Sequence, residues 1–175
     1  MVTITISGSP GSGKTTAAKL LAEKLKLKYV YSGDIFREMA NKHKMSLEEF
    51  GKYCEKHKEI DQQLDDYQLK ILRKGNVIVE GRISGWIAHR NNISAVKVLI
   101  DTDLETRVGR ILKREKGDIA KRKKEMLTRE KSEATRYKNY YNIDLKDKSI
   151  YDIVIDSGDK TPEEIVDIVV KKIEK

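Results

Sequence analysis

One stretch near the start of the chain constrains its fold more than any other. Residues 8–15, GSPGSGKT, fit the pattern G-x-x-x-x-G-K-[ST] in full, between an alternating apolar run and a helical pattern. Its glycines let backbone N–H groups point inward, while its lysine reaches β/γ-phosphates and its threonine hydroxyl reaches Mg²⁺. A plain Gly/Ser-rich turn would not need these flanking elements. The pattern predicts a nucleoside triphosphate site at Gly8, Ser9, Pro10, Gly11, Ser12, Gly13, Lys14, Thr15 and the following Thr16.

Five short apolar runs alternate with helical patterns along the chain. The runs span residues 2–6, 28–31, 77–80, 95–101 and 152–156. Strands that alternate with helices favour a parallel sheet covered on both faces. We therefore predict an α/β, three-layer fold, with a five-stranded parallel sheet flanked by helices, in a single domain of 175 residues.

Two polar segments are predicted to flank the carboxyl edge of this sheet, where α/β folds bind ligands. The first, about residues 40–73, contains a capping box at Ser46 and Glu49. Its acidic and amide side chains are too many for a buried crossover helix, so we predict a peripheral flap. The second, about residues 113–141, is basic and poor in apolar residues, and we predict a lid. Both would close over a cleft.

Composition narrows the partners and the compartment. Lys and Arg number 36 against 28 Asp and Glu, a net charge of +8 that favours anionic partners. A polyphosphate substrate accounts for this charge as well as nucleic acid does. Cys54 is the single cysteine, so no internal disulfide can form. No apolar run approaches ~18 residues, so we expect a cytoplasmic protein with no membrane partner.

Three further motifs bring the chain close to a known family. They are Ser32-Gly33-Asp34-x-x-Arg37, Glu80-Gly81-Arg82 and Arg129-x-x-x-Glu133-x-x-Arg136. Together with the glycine-rich loop they resemble nucleoside monophosphate kinases, and the whole chain is similar to the short archaeal-type cytidylate kinases. The resemblance implies a P-loop fold and reversible transfer of the ATP γ-phosphate to CMP or dCMP with Mg²⁺. We also expect a monomer without a nucleic-acid partner.

The resemblance further implies roles for single residues. Catalytic roles fall on Lys14, Arg82, Arg129 and Arg136, and a donor-side role falls on Arg110, which would stack on adenine. Acceptor-side roles fall on Ser32, Asp34, Arg37, Arg82, Glu133 and Arg136, with Glu133 at the ribose. For Asp34 the alternative is a helix cap. Mg²⁺ would contact Thr15, and Glu80 through water.

Two departures from the family leave the acceptor open. Glu80 replaces the usual strand-end Asp, and Ile83 replaces the Asp with which bacterial relatives read cytosine. Base reading would then use other groups, among Gln62, Asp65, Asp66 and Gln68. Another acceptor, such as UMP or AMP, is the alternative within the family. From a different class, a nucleotide-gated RNA-binding protein stays open. A small GTPase is disfavoured, because this chain lacks the guanine-reading motif Asn-Lys-x-Asp.

Overall fold

The computed structural model describes residues 2–115 and 117–174, so Lys116 of the predicted lid segment lies outside the described residues. A five-stranded parallel sheet flanked by helices forms the molecule, which confirms the predicted fold class. The strands are β1 (Ile4–Ser7), β2 (Lys28–Tyr31), β3 (Val77–Glu80), β4 (Val96–Asp101) and β5 (Ile153–Asp156). The helices are α1 (Lys14–Leu25), α2 (Ser32–Lys42), α3 (Leu47–Cys54), α4 (Lys58–Lys74), α5 (Ser84–Arg90), α6 (Leu104–Glu115), α7 (Ile119–Tyr141) and α8 (Pro162–Ile173).

The strand order, β2-β3-β1-β4-β5, places β1 at the centre of the sheet. Glu80 is the register partner of Ile6 on one side and of Tyr31 on the other. Because parallel strands end at the same edge, the segments that follow these three residues begin side by side. This register brings the phosphate loop (residues 8–15), the start of α2 and the Glu80-Gly81-Arg82 motif to one place.

Two apolar clusters hold the helices on the sheet. Helices α1 and α8 bury Leu21 and Val169 against Ile4, Ile78 and Ile100, all of which are at most 1% exposed. The other cluster joins α4, α5 and the end of α7 through Leu72, Trp86 and Tyr137. Every residue of β1 and β3 is buried, as expected for central parallel strands covered on both faces.

Local signals located several helix ends correctly. Ser46 and Glu49 form the predicted capping box at α3, and Thr161 caps α8 with Pro162 at its first position. Within residues 46–73 the chain forms two helices, α3 and α4, which residues 55–57 separate. Helix α4 is also more buried than predicted, because Leu72 packs beneath β3 while Asp61 and Gln68 face inward. Helix α5, which we did not predict, packs beside β1.

No helix within residues 2–115 and 117–174 combines the length and the apolar character needed to span a membrane.

Candidate active site

The phosphate loop folds back on itself between β1 and α1. Gly13 has φ 86°, a left-handed conformation that favours glycine over other residues. The Ser12 N–H donates to the Ser9 carbonyl at 3.2 Å, which closes the turn. The Lys14 ammonium donates to the same Ser9 carbonyl at 3.1 Å, so its charge lies over the loop. The loop therefore offers one cation and the N-terminus of α1 to a single anion.

Burial makes Lys14 an unusual lysine. Its side chain is almost completely buried, and burial lowers its pKa from 10.5 to about 8, although Glu80 opposes the shift. Arg82 and Arg129 lower the pKa further, because they bring positive charge close to the amine. A nearby phosphate would favour the charged form and reverse the shift.

A buried carboxylate lies beside the loop, at the end of β3. Glu80 is 0% exposed, and its two oxygens have different partners. The Thr15 hydroxyl donates to Oε1 at 2.7 Å, and the Tyr29 hydroxyl donates to Oε2. Burial and this hydrogen bond raise the pKa of Tyr29, so its proton stays on the donor. The geometry fixes Glu80 next to the threonine that we predicted as a metal ligand.

Arginines from two elements converge on one glutamate. Arg82, just after β3, donates from Nε to Glu133 Oε2 at 2.6 Å, and from Nη1 to the Gly8 carbonyl at 2.7 Å. Arg129, one turn before Glu133 on α7, donates from Nε to Oε1 at 2.9 Å. Burial alone would raise the Glu133 pKa, but Arg82 and Arg129 outweigh it and hold that pKa at about 2. The carboxylate holds two guanidinium groups within reach of the phosphate loop.

Arg136, which follows Arg129 on α7, has a buried partner that sequence reasoning missed. Arg136 donates from Nη1 to Asp61 Oδ1, and the guanidinium lies 5.5 Å from the ring centres of Phe36 and Tyr137. Asp61 belongs to a stripe with Leu64, Gln68 and Leu72, whose 3- and 4-residue spacing is that of one helix face. That spacing was the available signal, because a mixed polar and apolar stripe indicates an inward face.

The α6 arginines hold the phosphate loop from its other side. Arg110 donates from Nη1 to Ser157 Oγ at 2.9 Å and from Nη2 to the Ser157 carbonyl at 2.6 Å. Ser157 in turn donates to the Ser12 carbonyl at 2.7 Å. Arg107 donates to the Pro10 carbonyl at 3.2 Å and pairs with Glu130. Ser157 and Arg107 thus connect the loop to β5, α6 and α7.

The turn after β2 contributes residues with different environments. Ser32 is buried at the start of α2, whereas Asp34 and Arg37 are exposed and form an ion pair at 3.1 Å. Asp34 lies in the first turn but does not cap α2, because Tyr31 occupies the cap position and no side chain bonds there. The Arg37 guanidinium lies 5.4 Å from the Tyr31 ring centre.

A cleft of about 780 Å³ runs between the loop, α2, α3, α6 and α7. A hollow of about 30 Å³, which we call the inner hollow, shares four lining residues with the cleft and continues it towards α4. The predicted residues that line the cleft are Pro10, Gly11, Lys14, Thr15, Arg37, Arg129, Glu133 and Arg136. Ser32 and Arg82 line the inner hollow.

Some predicted residues lie outside both spaces. Thr16 is exposed on α1 and lines neither the cleft nor the inner hollow, nor do Asp34, Glu80 or Arg110. Of the base-reading candidates, Gln62 and Asp66 are exposed, whereas Gln68 is 2% exposed and lines the hollow. Gln62 and Asp66 are both exposed because they are four residues apart on α4 and therefore lie on the same outward face of the helix.

Comparison with known proteins indicates the family of this chain. The model of the cytidylate kinase-like family matches residues 3–159. The chain is 48% identical to a cytidylate kinase of Methanocaldococcus jannaschii over 98% of this chain and 97% of that protein. It is 45% identical to a cytidylate kinase of Archaeoglobus fulgidus, over 98% and 94% of the two chains.

A solved structure supports the fold separately. The shikimate kinase of Bacteroides thetaiotaomicron superposes with a TM-score of 0.63 over 99% of both chains, at 14% identity. At that identity the likeness concerns the fold alone. The family match and the relatives, by contrast, extend over nearly the whole sequence. This chain belongs to the cytidylate kinase-like family.

Proposed function

We propose that this chain is a cytidylate kinase, which reversibly transfers the γ-phosphoryl group of ATP to CMP or dCMP and gives ADP and CDP or dCDP. One observation carries the proposal: a phosphate loop and a set of arginines from a different element line the same cleft. A nucleotide switch needs one phosphate clamp, whereas a two-substrate kinase needs two. The high identity to named cytidylate kinases supports cytidylate as the acceptor.

The donor half of the site consists of the phosphate loop and its supports. Loop N–H groups and the Lys14 ammonium would hold the β- and γ-phosphates of ATP. Lys14 already lies over the loop, so little reorganisation is needed. Arg110 donates to the Ser12 carbonyl of the loop and to Ser157 Oγ. We assign Arg110 to the donor nucleotide.

The residues around Thr15 fit Mg²⁺. A hydroxyl and a carboxylate are the hard oxygen ligands that Mg²⁺ prefers, and Thr15 and Glu80 already lie in hydrogen-bond contact. Within residues 2–115 and 117–174, no group of three His, Cys, Asp or Glu side chains could hold a metal by itself. Thr15 would ligate the ion directly and Glu80 through water, with phosphate oxygens completing the shell. Bound Mg²⁺ would neutralise phosphate charge.

The acceptor half is built from α2, the end of β3, and α7. Ser32 and Arg37 would hold the acceptor nucleotide, with Asp34 beside Arg37. Arg82, Arg129 and Arg136 would hold phosphates through planar forks that stay charged when buried. In this structure Glu133 forms ion pairs with both Arg82 and Arg129. An acceptor phosphate would take over part of that contact, and Glu133 would then face the ribose.

Alignment and charge neutralisation are sufficient for this transfer. The acceptor phosphate is already an anion, so its oxygen attacks the γ-phosphorus without a general base while the β–γ bridging P–O bond breaks. Preorganised cations stabilise the charge that spreads over the transferring group. We further propose that the protein acts as a monomer, and the cytoplasm remains our expected location.

An acceptor panel tests the proposal. Purified protein with ATP, Mg²⁺ and a set of nucleoside monophosphates should release ADP fastest with CMP or dCMP. If UMP or AMP were fastest, the enzyme class would hold but the acceptor would change. If no monophosphate were turned over, the kinase proposal would be wrong, and ATP-dependent, salt-sensitive RNA binding would then support the RNA-binding alternative.

Two substitutions test the residue roles. Lys14→Ala and Arg129→Ala should each lower kcat by about two orders of magnitude, because each removes charge from the transition state. Arg73→Ala is the matched control, since Arg73 is exposed near the end of α4 and lines neither the cleft nor the inner hollow. A wild-type rate in Arg129→Ala would remove that arginine from the assigned machinery.

A further inference from the structure

Ile83 leaves the inner hollow without an obvious group to read the acceptor base. Its side chain is 2% exposed and packs in the apolar cluster with Val79 and Trp86. Because this side chain is a hydrocarbon, it can neither donate nor accept a hydrogen bond. Base discrimination needs a group that is fixed as a donor or as an acceptor. We therefore compared the side-chain oxygens that line the inner hollow.

Among the residues that the structure describes, four side chains with oxygen atoms line the hollow: Ser32, Gln68, Glu133 and Tyr137. Both oxygens of Glu133 already accept from arginines. The hydroxyl groups of Ser32 and Tyr137 can turn to donate or to accept, so they fit a keto base as well as an amino base. The arginines of the hollow can only donate, so Gln68 remains as the side chain that can be fixed as an acceptor.

The orientation of the Gln68 carboxamide is set by Asp65, one turn earlier on α4. Gln68 Nε2 donates to Asp65 Oδ1 at 3.3 Å. Oδ1 accepts this bond whether or not Oδ2 carries a proton, so the amino side of the carboxamide faces Asp65. The carbonyl oxygen is then forced to point the other way, towards the hollow.

That carbonyl oxygen is buried, and no group within residues 2–115 and 117–174 donates a hydrogen bond to it. Gly81 leaves room for it: a Cβ at Gly81 would lie 2.7 Å from Gln68 Oε1 and 2.5 Å from Ser32 Oγ. A buried acceptor without a partner costs free energy until a donor reaches it. The structure thus holds an unused acceptor at the inner end of the cleft.

We infer that Gln68, oriented by Asp65, reads the acceptor base by accepting a hydrogen bond from the exocyclic amino group of cytosine. This inference rests on the proposed kinase function. The hollow of about 30 Å³ is too small for a pyrimidine ring but large enough for a group the size of one water molecule. The ring would lie in the cleft, and the amino group would enter the hollow.

The same geometry disfavours uridine. Uracil carries a carbonyl oxygen where cytosine carries the amino group, so two acceptors would face each other without a proton between them. Such an unpaired contact typically lowers kcat/KM far more than loss of an apolar contact does. Asp65 is a positioning residue in this arrangement, because it acts through the orientation of Gln68.

The test compares acceptors in wild type and in Gln68→Met, which keeps the side-chain length but removes the carboxamide. Wild type should prefer CMP to UMP in kcat/KM, and Gln68→Met should lower that preference at least about tenfold. The third acceptor is pyrimidin-2-one ribonucleoside monophosphate, which is CMP without its amino group. Wild type should bind it at least about tenfold more weakly than CMP, and Gln68→Met should bind both alike.

Gln63→Met is the matched control, since Gln63 is exposed on the same helix and should leave the CMP/UMP ratio unchanged. Asp65→Asn provides a second variant should Gln68→Met not fold. Asn can offer an oxygen or an amino group, so the Gln68 carboxamide can turn over and UMP should gain relative to CMP. A CMP/UMP ratio within twofold of wild type in the folded variant tested would overturn the inference. Failure of wild type to phosphorylate any monophosphate would instead overturn the proposed function.

Discussion

Arg136 and Asp61 form an ion pair in which both side chains are almost completely buried, at 3% and 2% exposure. Removal of one partner from such a pair leaves the other charge buried and uncompensated. We expect Asp61→Asn to lower the free energy of unfolding by roughly 3–5 kcal/mol. Urea denaturation followed by circular dichroism measures this change.

An exposed ion pair provides the control for that measurement. Lys52 and Glu48 are also paired on α3, but their side chains are 63% and 51% exposed. Glu48→Gln should change the unfolding midpoint by no more than the experimental error, because solvent screens exposed pairs. If Asp61→Asn were equally mild, Arg136 would have to find another partner or reach solvent.

Lys14 should take up protons when nucleotide binds. Burial lowers its pKa to about 8, and phosphates restore the charged form. ATP binding at pH 8 should therefore take up on the order of half a proton, whereas binding at pH 6.5 should take up almost none. Calorimetry in two buffers of different ionisation enthalpy gives the number. Lys14→Arg stays charged at both pH values and should abolish the uptake. If the wild-type enthalpy of ATP binding at pH 8 were the same in the two buffers, the prediction would be contradicted.

Tyr29 should affect the metal through Glu80. Its hydroxyl donates to the carboxylate, so Tyr29→Phe removes one of the two groups that orient Glu80. Loss of such a supporting contact commonly weakens metal affinity about 10-fold or more. We expect the Mg²⁺ concentration for half-maximal rate to rise by about that factor, with little change in kcat at saturating Mg²⁺. Tyr67→Phe, at a largely exposed position, is the control; identical Mg²⁺ curves for wild type and Tyr29→Phe would refute the role.

Sequence reasoning located the parts of the site that depend on local patterns. Lys14 and Thr15 belong to a contiguous motif, and Arg82 follows a recognisable strand, so the sheet edge brings them together with no further information. The Asp61–Arg136 pair was not predictable in this way, because its partners are 75 residues apart and join through packing of α4 on α7. A polar run on α4 indicated exposure by composition, whereas its helical spacing indicated an inward stripe.

Asp65 should give the folded protein an unusual dependence of stability on pH. Burial raises the pKa of Asp65 to about 7, although the positive charge of Arg136 opposes the shift. Between about pH 4 and 7 the unfolded chain loses this proton while the folded chain keeps it. The Asp65 contribution to the unfolding free energy therefore falls as pH rises, by at most about 1.4 kcal/mol per pH unit. The Glu133 contribution has the opposite sign, because its pKa is held at about 2 in the folded chain. Ionised Glu133 stabilises the fold above about pH 4.5, and this stabilisation is lost as the pH falls from there towards 2.

The difference between variants isolates the Asp65 contribution from every other titrating group. Asp65→Asn cannot ionise, so its stability relative to wild type should increase steadily from pH 4 to pH 7 and then level off. Asp66→Asn, an exposed neighbour on α4, should follow the wild-type profile. Urea midpoints at pH 4, 5, 6, 7 and 8 measure both differences. Parallel profiles for wild type and Asp65→Asn would mean that Asp65 ionises as easily in the folded chain as in the unfolded one, and that α4 opens to water at this position.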